Sequence, residues 1–323
     1  METSQPQRIV FAGTDAYEGK LYVSDLDGSN KRTIAQLDDA VLFPCWHQDS
    51  IYFCIAGDAD SDKSSTDYLV NPDGSRLRRL GVPEGMLFQQ FINDGQRLLF
   101  SSGDGEPMVS VDLEGEDLQY SPAIAFDSLA DDESKWIVVR QDDEGEDVYE
   151  VHYADGREPW ELEDLLNVGG SVYWSGTSSA FFLVREDDEF EHGLYLGDSE
   201  TQTVTELDLP VCAAMNARWS PDGTQIAMIG ALPIDEESPD DEAVDPISLF
   251  IMDADGTNVR QLSQHETYQD CIAWSLDSKH VFVSEDLDDS DESMPYLHRY
   301  DVESGEGTVV PTETSVWHFA LSA

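Results

Sequence analysis

"LFIMDADGTNVRQL", residues 249–262, is the stretch on which the fold turns. Leu249 and Phe250 lead into an Asp-Ala-Asp-Gly turn, and a second short strand follows. Asp and Gly between alternating apolar residues make a tight hairpin, because Gly accepts positive φ and Asp bonds nearby backbone. One hairpin says little about function; a hairpin repeated at a fixed period is an architecture.

The hairpin does repeat. "LYVSDLDGSNKRTI" turns at 25–30 and "DYLVNPDGSRLRRL" at 71–76, weaker copies start at Asp112, Tyr153 and Gly197, and the last starts at Asp301. Including the quoted copy at Asp253, successive turns are 46, 41, 41, 44, 56 and 48 positions apart. A second hairpin recurs between them, clearest in "ARWSPDGTQIAMIG" (217–230) and "IAWSLDSKHVFVS" (272–284). Degenerate forms include "PCWHQDSIYFCIA" (44–56) and "QQFINDGQRLLFSS" (89–102). Each pairs an apolar or aromatic anchor with a polar turn and an alternating run, the pattern of strand, turn and strand.

Two hairpins, hence four strands, in about 45 residues make one blade of a β-propeller. The expected fold is all-β: a seven-bladed β-propeller of four-stranded antiparallel blades, one domain over 1–323. The chain ends support it. "RIVFAG" is a second strand lacking a first, and "SVWHFALSA" is a first strand lacking a second. Joining them closes the ring by putting the C-terminal strand in the N-terminal blade, shared between 8–40 and 315–323.

"WSPDGTQIAM" followed by "LFIMDADGTNVRQL" resembles the WD-like repeat of TolB-type propellers, which also cap prolyl oligopeptidase-like enzymes. The resemblance extends over nearly the whole chain, strongly in the sixth blade and fairly in the seventh. It implies a propeller but leaves function open, since one fold hosts many activities.

Composition limits the partners. The 323 residues carry 17 Lys and Arg against 68 Asp and Glu, a net charge of −51. Lysine is scarce: Lys20, Lys31, Lys63, Lys135 and Lys279 are all of it. Self-repulsion on this scale destabilises a compact chain in dilute buffer, whereas molar salt shortens the Debye length to ~3 Å. The balance is that of a protein adapted to a salt-filled cytoplasm, as in haloarchaea. It weighs against nucleic acid, whose phosphates need concentrated Lys and Arg. The one basic cluster, Arg76, Arg78 and Arg79, reads as local counter-charge. No run of apolar residues is long enough to span a membrane, and no secretory signal is visible at the N-terminus, so the expected location is cytoplasmic. The four cysteines (Cys45, Cys54, Cys212, Cys271) form no C-x-x-C pair and read as reduced thiols.

Propeller geometry sorts the loops. The "SPDG" and "DADG" turns share one face; the loops between the hairpins of a blade and the connectors between blades share the other, around the channel mouth. Five lengthened acidic loops fall there: 57–67, 141–147, 185–193, 230–246 and 285–295. Asp58, Asp60 and Asp62 begin like a calcium loop, but Lys63 stands where Gly is required and Leu69 where Glu is required. No cofactor is expected; a divalent cation bound weakly by Asp58, Asp60 and Asp62 is the alternative. The candidate ligand-binding residues are His265, Tyr268 and Asp270 in a connector, with Trp317 and His318 on the closing strand.

The chain has no G-x-S-x-G nucleophile elbow and no Gly-rich phosphate loop. The expected function is therefore a non-catalytic TolB-like scaffold that binds a protein or small ligand at the acidic channel mouth. The alternative is a metal-dependent propeller enzyme resembling oligogalacturonate lyase, a family with His and Gln ligands around a divalent metal. Only His265 and His318, with Gln89 and Gln90 on another blade, lie near suitable positions, and they match no motif of that family.

Overall fold

The computed structural model describes residues 6–15, 18–55, 65–102, 108–120, 126–130, 132–141, 147–162, 169–176, 179–186, 192–211, 213–232, 247–263, 267–285 and 295–322. Regular structure among them is entirely β-strand. β1 (Arg8–Asp15), β2 (Glu18–Asp25) and β3 (Arg32–Leu37) begin the first sheet. β4 (Val41–His47), β5 (Ser50–Ile55), β6 (Thr66–Val70) and β7 (Arg78–Arg79) form the second. The third holds β8 (Leu87–Ile92), β9 (Arg97–Ser101), β10 (Val109–Asp112) and β11 (Leu118–Tyr120). The fourth holds β12 (Phe126–Leu129), β13 (Lys135–Gln141), β14 (Asp147–Tyr153) and β15 (Trp160–Glu161). In the fifth are β16 (Gly169–Trp174), β17 (Ala180–Glu186), β18 (His192–Asp198) and β19 (Thr203–Glu206). The sixth comprises β20 (Ala213–Trp219), β21 (Gln225–Ala231), β22 (Ser248–Asp253) and β23 (Arg260–Gln261). β24 (Thr267–Trp274), β25 (His280–Glu285), β26 (Tyr296–Asp301) and β27 (Gly307–Val309) make the seventh. β28 (Val316–Leu321) then pairs antiparallel with β1, so the first sheet has the order β28-β1-β2-β3. Seven four-stranded antiparallel sheets with this closure are the topology of a seven-bladed β-propeller.

The closing register runs from Ile9 opposite Leu321 to Gly13 opposite Val316. The amide of Ser322 donates to the Arg8 carbonyl at 2.8 Å, and the Arg8 amide donates to Ser322 Oγ at 2.9 Å. These are the unfinished strands of the sequence, and each supplies what the other lacks.

The quoted hairpin is β22–β23. Its turn is closed by Asp253 N donating to Thr257 O and Gly256 N to Asp253 O, both at 2.9 Å. The same bonds join Asp25, Ser29 and Gly28. In the second sheet they join Asn71, Ser75 and Gly74. Gly28, Gly74 and Gly256 have φ of 81°, 84° and 83°, where a Cβ would be strained, so Gly is required. The other hairpin is built on hydroxyl and carboxylate. Ser220 Oγ donates to Asp222 Oδ1 at 2.8 Å and accepts from Gln225 N at 2.9 Å; Ser275, Asp277 and His280 repeat this at 2.7 and 2.9 Å. The tryptophan before each serine ties its sheet to the one before. Trp219 Nε1 donates to Tyr173 O at 2.9 Å and Trp274 Nε1 to Arg218 O at 3.0 Å.

The chain forms two compact units: Met1–Ile124 with Ser284–Arg299 and Thr308–Ala323, and Ala125–Val283 with Tyr300–Gly307. In the first unit, β5 is buried on both faces. Ile51 and Phe53 join a core with Val10, Leu21 and Val23, whereas Tyr52 and Cys54 join another with Leu98, Phe100 and Val109. Successive strand residues point to opposite faces, so a strand between two neighbours is apolar throughout. In the second unit, Ile226 and Met228 pack with Phe182 and Leu194, and Ala227 and Ile229 with Val281 and Val283. Full burial of each large side chain contributes about 1.5–3 kcal/mol. Among the described residues Cys45, Cys54 and Cys271 form no disulfide; Cys212 lies outside the described residues.

Candidate functional site

His265 and the three aspartates Asp58, Asp60 and Asp62 lie outside the described residues, as does most of each lengthened acidic loop. Tyr268 and Asp270 are two positions apart on β24, in the second unit, and their side chains are likewise outside the description. Trp317 and His318 are adjacent on β28, in the first unit. Among the described residues no group of three or more His, Cys, Asp or Glu is arranged to hold a metal ion.

In the first unit, β28 and β4 are sheet-edge strands lying side by side. The β4–β5 ladder shifts register between Leu42 and Cys45. Such a bulge leaves residues unpaired and re-aims a side chain. Here the residue re-aimed is Phe43. Its φ is 46°, in the left-handed region that bulky residues avoid, and Pro44 follows it. Phe43 is 51% exposed, and its ring centroid lies 4.4 Å from that of His318, tilted by 51°. His318 is buried, and Trp317 beside it is half-buried. An exposed aromatic in strained backbone, tilted against a buried imidazole, is not required by the packing of the sheet.

β28 is held from behind. Val316 N donates to Pro295 O at 2.8 Å, and Ser284 Oγ donates to the Val316 carbonyl. Next to Ser284, buried Glu285 lies 3.3 Å from His298 Nδ1, an ion pair when the imidazole is protonated. The strand that presents Trp317 and His318 is thus fixed at its start by backbone and hydroxyl bonds.

A second buried polar group lies in the second sheet. Tyr52 donates its phenol to Asp67 Oδ1 at 2.6 Å, and its ring stacks on Phe88 at 4.0 Å. Burial raises the Asp67 carboxyl above the ordinary aspartate value despite the Tyr52 bond and the charge of Arg79. Burial and the nearby carboxylate push the Cys54 thiol up to about 11, so it is protonated at neutral pH and a poor nucleophile.

Sequence reasoning named Trp317 and His318 but missed Phe43. The signal was the "FP" inside "VLFPCWH", an aromatic immediately before proline in a strand. Sequence periodicity does not reveal the bulge that turns the ring outward.

No family model matches the sequence, and no curated protein matches it. Solved structures do. The β-propeller domain of the trilobed protease from Pyrococcus furiosus, described as having an open velcro topology, superposes with a TM-score of 0.63 at 13% identity, covering 95% of each chain. Acylaminoacyl peptidase from Pyrococcus horikoshii gives 0.61 at 11% identity, over 95% of this chain and 51% of that one. TolB from Acinetobacter baumannii gives 0.57 at 14% identity, over 98% of this chain and 67% of that one. At these identities the likeness is one of fold, and the fold is the β-propeller that TolB and these peptidases share.

Proposed function

We propose that this chain is a recognition propeller that docks a protein partner through the edge formed by Phe43, Trp317 and His318. The observation that carries the reading is Phe43, a 51% exposed aromatic at φ 46° on a bulged edge strand. Aromatic anchors at such positions supply a large share of binding energy at protein interfaces. The charge of −51 with five lysines further supports a working environment of high salt, in the cytoplasm of a salt-adapted cell. Under those conditions apolar and aromatic contacts retain their strength while surface charge is screened.

Capture of partners from the source organism's lysate in molar KCl tests it. Phe43→Ser loses the partner held by the wild type, with binding at least tenfold weaker (about 1.4 kcal/mol or more). Tyr120→Ser, at another exposed aromatic in the same unit, keeps it. An identical partner set for all three chains would refute the reading.

A further inference from the structure

The second copy of the repeated turn departs from the first and sixth in its charge. Where those have Asp25 and Asp253 it has Asn71, and where they have Asn30 and Asn258 it has Arg76. One carboxylate has gone and one guanidinium has been gained. The backbone is unchanged: Asn30, Arg76 and Asn258 have φ of 54°, 56° and 56°. That left-handed conformation suits Asn and disfavours Arg. Asn30 and Asn258 use it to donate to the carboxylates of Asp25 and Asp253, each at 2.6 Å. Arg76 forgoes that bond. A local rule broken within a chain's own repeat, with no gain to the turn, points to a use elsewhere.

Arg76 lines a groove of about 470 Å³ at the turn end of the first three sheets, within the first unit. Three more of the chain's twelve arginines, Arg8, Arg32 and Arg78, line it too. None of the four lies in an ion pair with another described residue, whereas Arg97 pairs with Asp117 at 2.9 Å and Arg157 with Asp155 at 2.9 Å. Neutral groups hold three of them. Arg32 Nη2 donates to Pro72 O at 2.6 Å, Arg78 Nε donates to Leu113 O at 2.5 Å, and Arg8 lies over the Trp46 ring at 5.0 Å. A guanidinium has five N–H donors, so these contacts fix the forks in place and leave further donors over. The second unit supplies a contrast. Arg260 also reaches a neighbouring turn carbonyl, that of Val302, but its turn keeps Asp253 and Asn258.

We propose that this groove binds a phosphorylated small molecule through Arg8, Arg32, Arg76 and Arg78. Three carboxylates, Asp49, Asp73 and Glu114, also line the groove, so four guanidinia there face three carboxylates in a chain whose net charge is −51. Asp73 accepts from Ser75 N at 2.8 Å and Ser75 Oγ at 2.5 Å within its own turn, and its carboxylate also feels the charge of Arg32. A phosphoryl group matches the bidentate fork of arginine and carries about −1.5 to −2 charges. A carboxylate carries less, and 68 of them on every copy of the chain would compete for a carboxylate-selective site. In molar salt the repulsion from the rest of the surface is screened beyond ~3 Å, so the local guanidinia decide what binds.

Calorimetric titration of the full chain with inorganic pyrophosphate in molar KCl, with citrate as the carboxylate control, tests the assignment. Arg76→Asn restores the repeat's own residue, so without ligand it melts at or above the wild-type temperature, which separates binding from folding. Pyrophosphate binds the wild type and Arg157→Gln alike, citrate does not bind, and Arg76→Asn weakens pyrophosphate binding about tenfold or more. Equal binding of citrate, no binding of pyrophosphate, or wild-type affinity in Arg76→Asn would overturn the proposal.

Discussion

Asp67 and Asp222 are shifted in opposite directions, the first by burial and the second by hydrogen bonds. Asp222 sits in a turn, where bonds from Ser220 and Thr224 hold its carboxyl below the usual range. Its contribution to stability is present above the unfolded value of about 3.9 and is lost as pH falls through the lower folded value. Asp67 is buried, and its folded pKa is raised. Its contribution is therefore fullest below about pH 3.9 and is lost as pH rises through the folded value. Asp67→Asn keeps an acceptor for Tyr52 and removes the buried charge. It is expected to raise the Tm at neutral pH, with the gap closing toward about pH 3 where Asp67 itself is protonated. Melts across that range check the sign, and a gap widening toward acid would reverse it. At this scale the sequence was only partly legible. The turn aspartates were readable from the "DG" pattern, because that chemistry is local. Asp67 and Phe43 were not, since burial by a neighbouring sheet and aim by a bulge arise from packing.

At the scale of elements, the hairpin period was legible in full, down to the strand that completes the first sheet. Each half of the missing hairpin was visible at its own end of the chain, and the period demanded a partner for each. β28 carries Phe319, 5% exposed, opposite Phe11 on β1. Phe319→Ala leaves a cavity at the seam and is expected to cost about 3–5 kcal/mol, read as a lower urea midpoint. A loss below about 1 kcal/mol, the range of a surface substitution, would mean that the seam contributes little. The arginines of the turn end were legible only as a cluster. "DGSRLRRL" reads as counter-charge until Arg8 and Arg32, from distant strands, are seen lining the same groove.

For the whole molecule, charge sets how stability depends on salt. With −51 charges the folded chain repels itself in dilute buffer, and added KCl relieves that repulsion. The Tm is expected to rise continuously from dilute to molar KCl, and a flat or falling Tm would remove salt adaptation from the account. In the first unit, two ends of the same sheets carry different chemistries: an aromatic edge at the start of β4 and β28, and guanidinia at the opposite turns. The aromatic edge carries the proposed function, and a photo-activatable phenylalanine at position 43 reports on it directly. Irradiated in cells at growth salt, it is predicted to cross-link one discrete partner that the same probe at position 120 does not reach. The same weak, unspecific products from both positions would contradict the account.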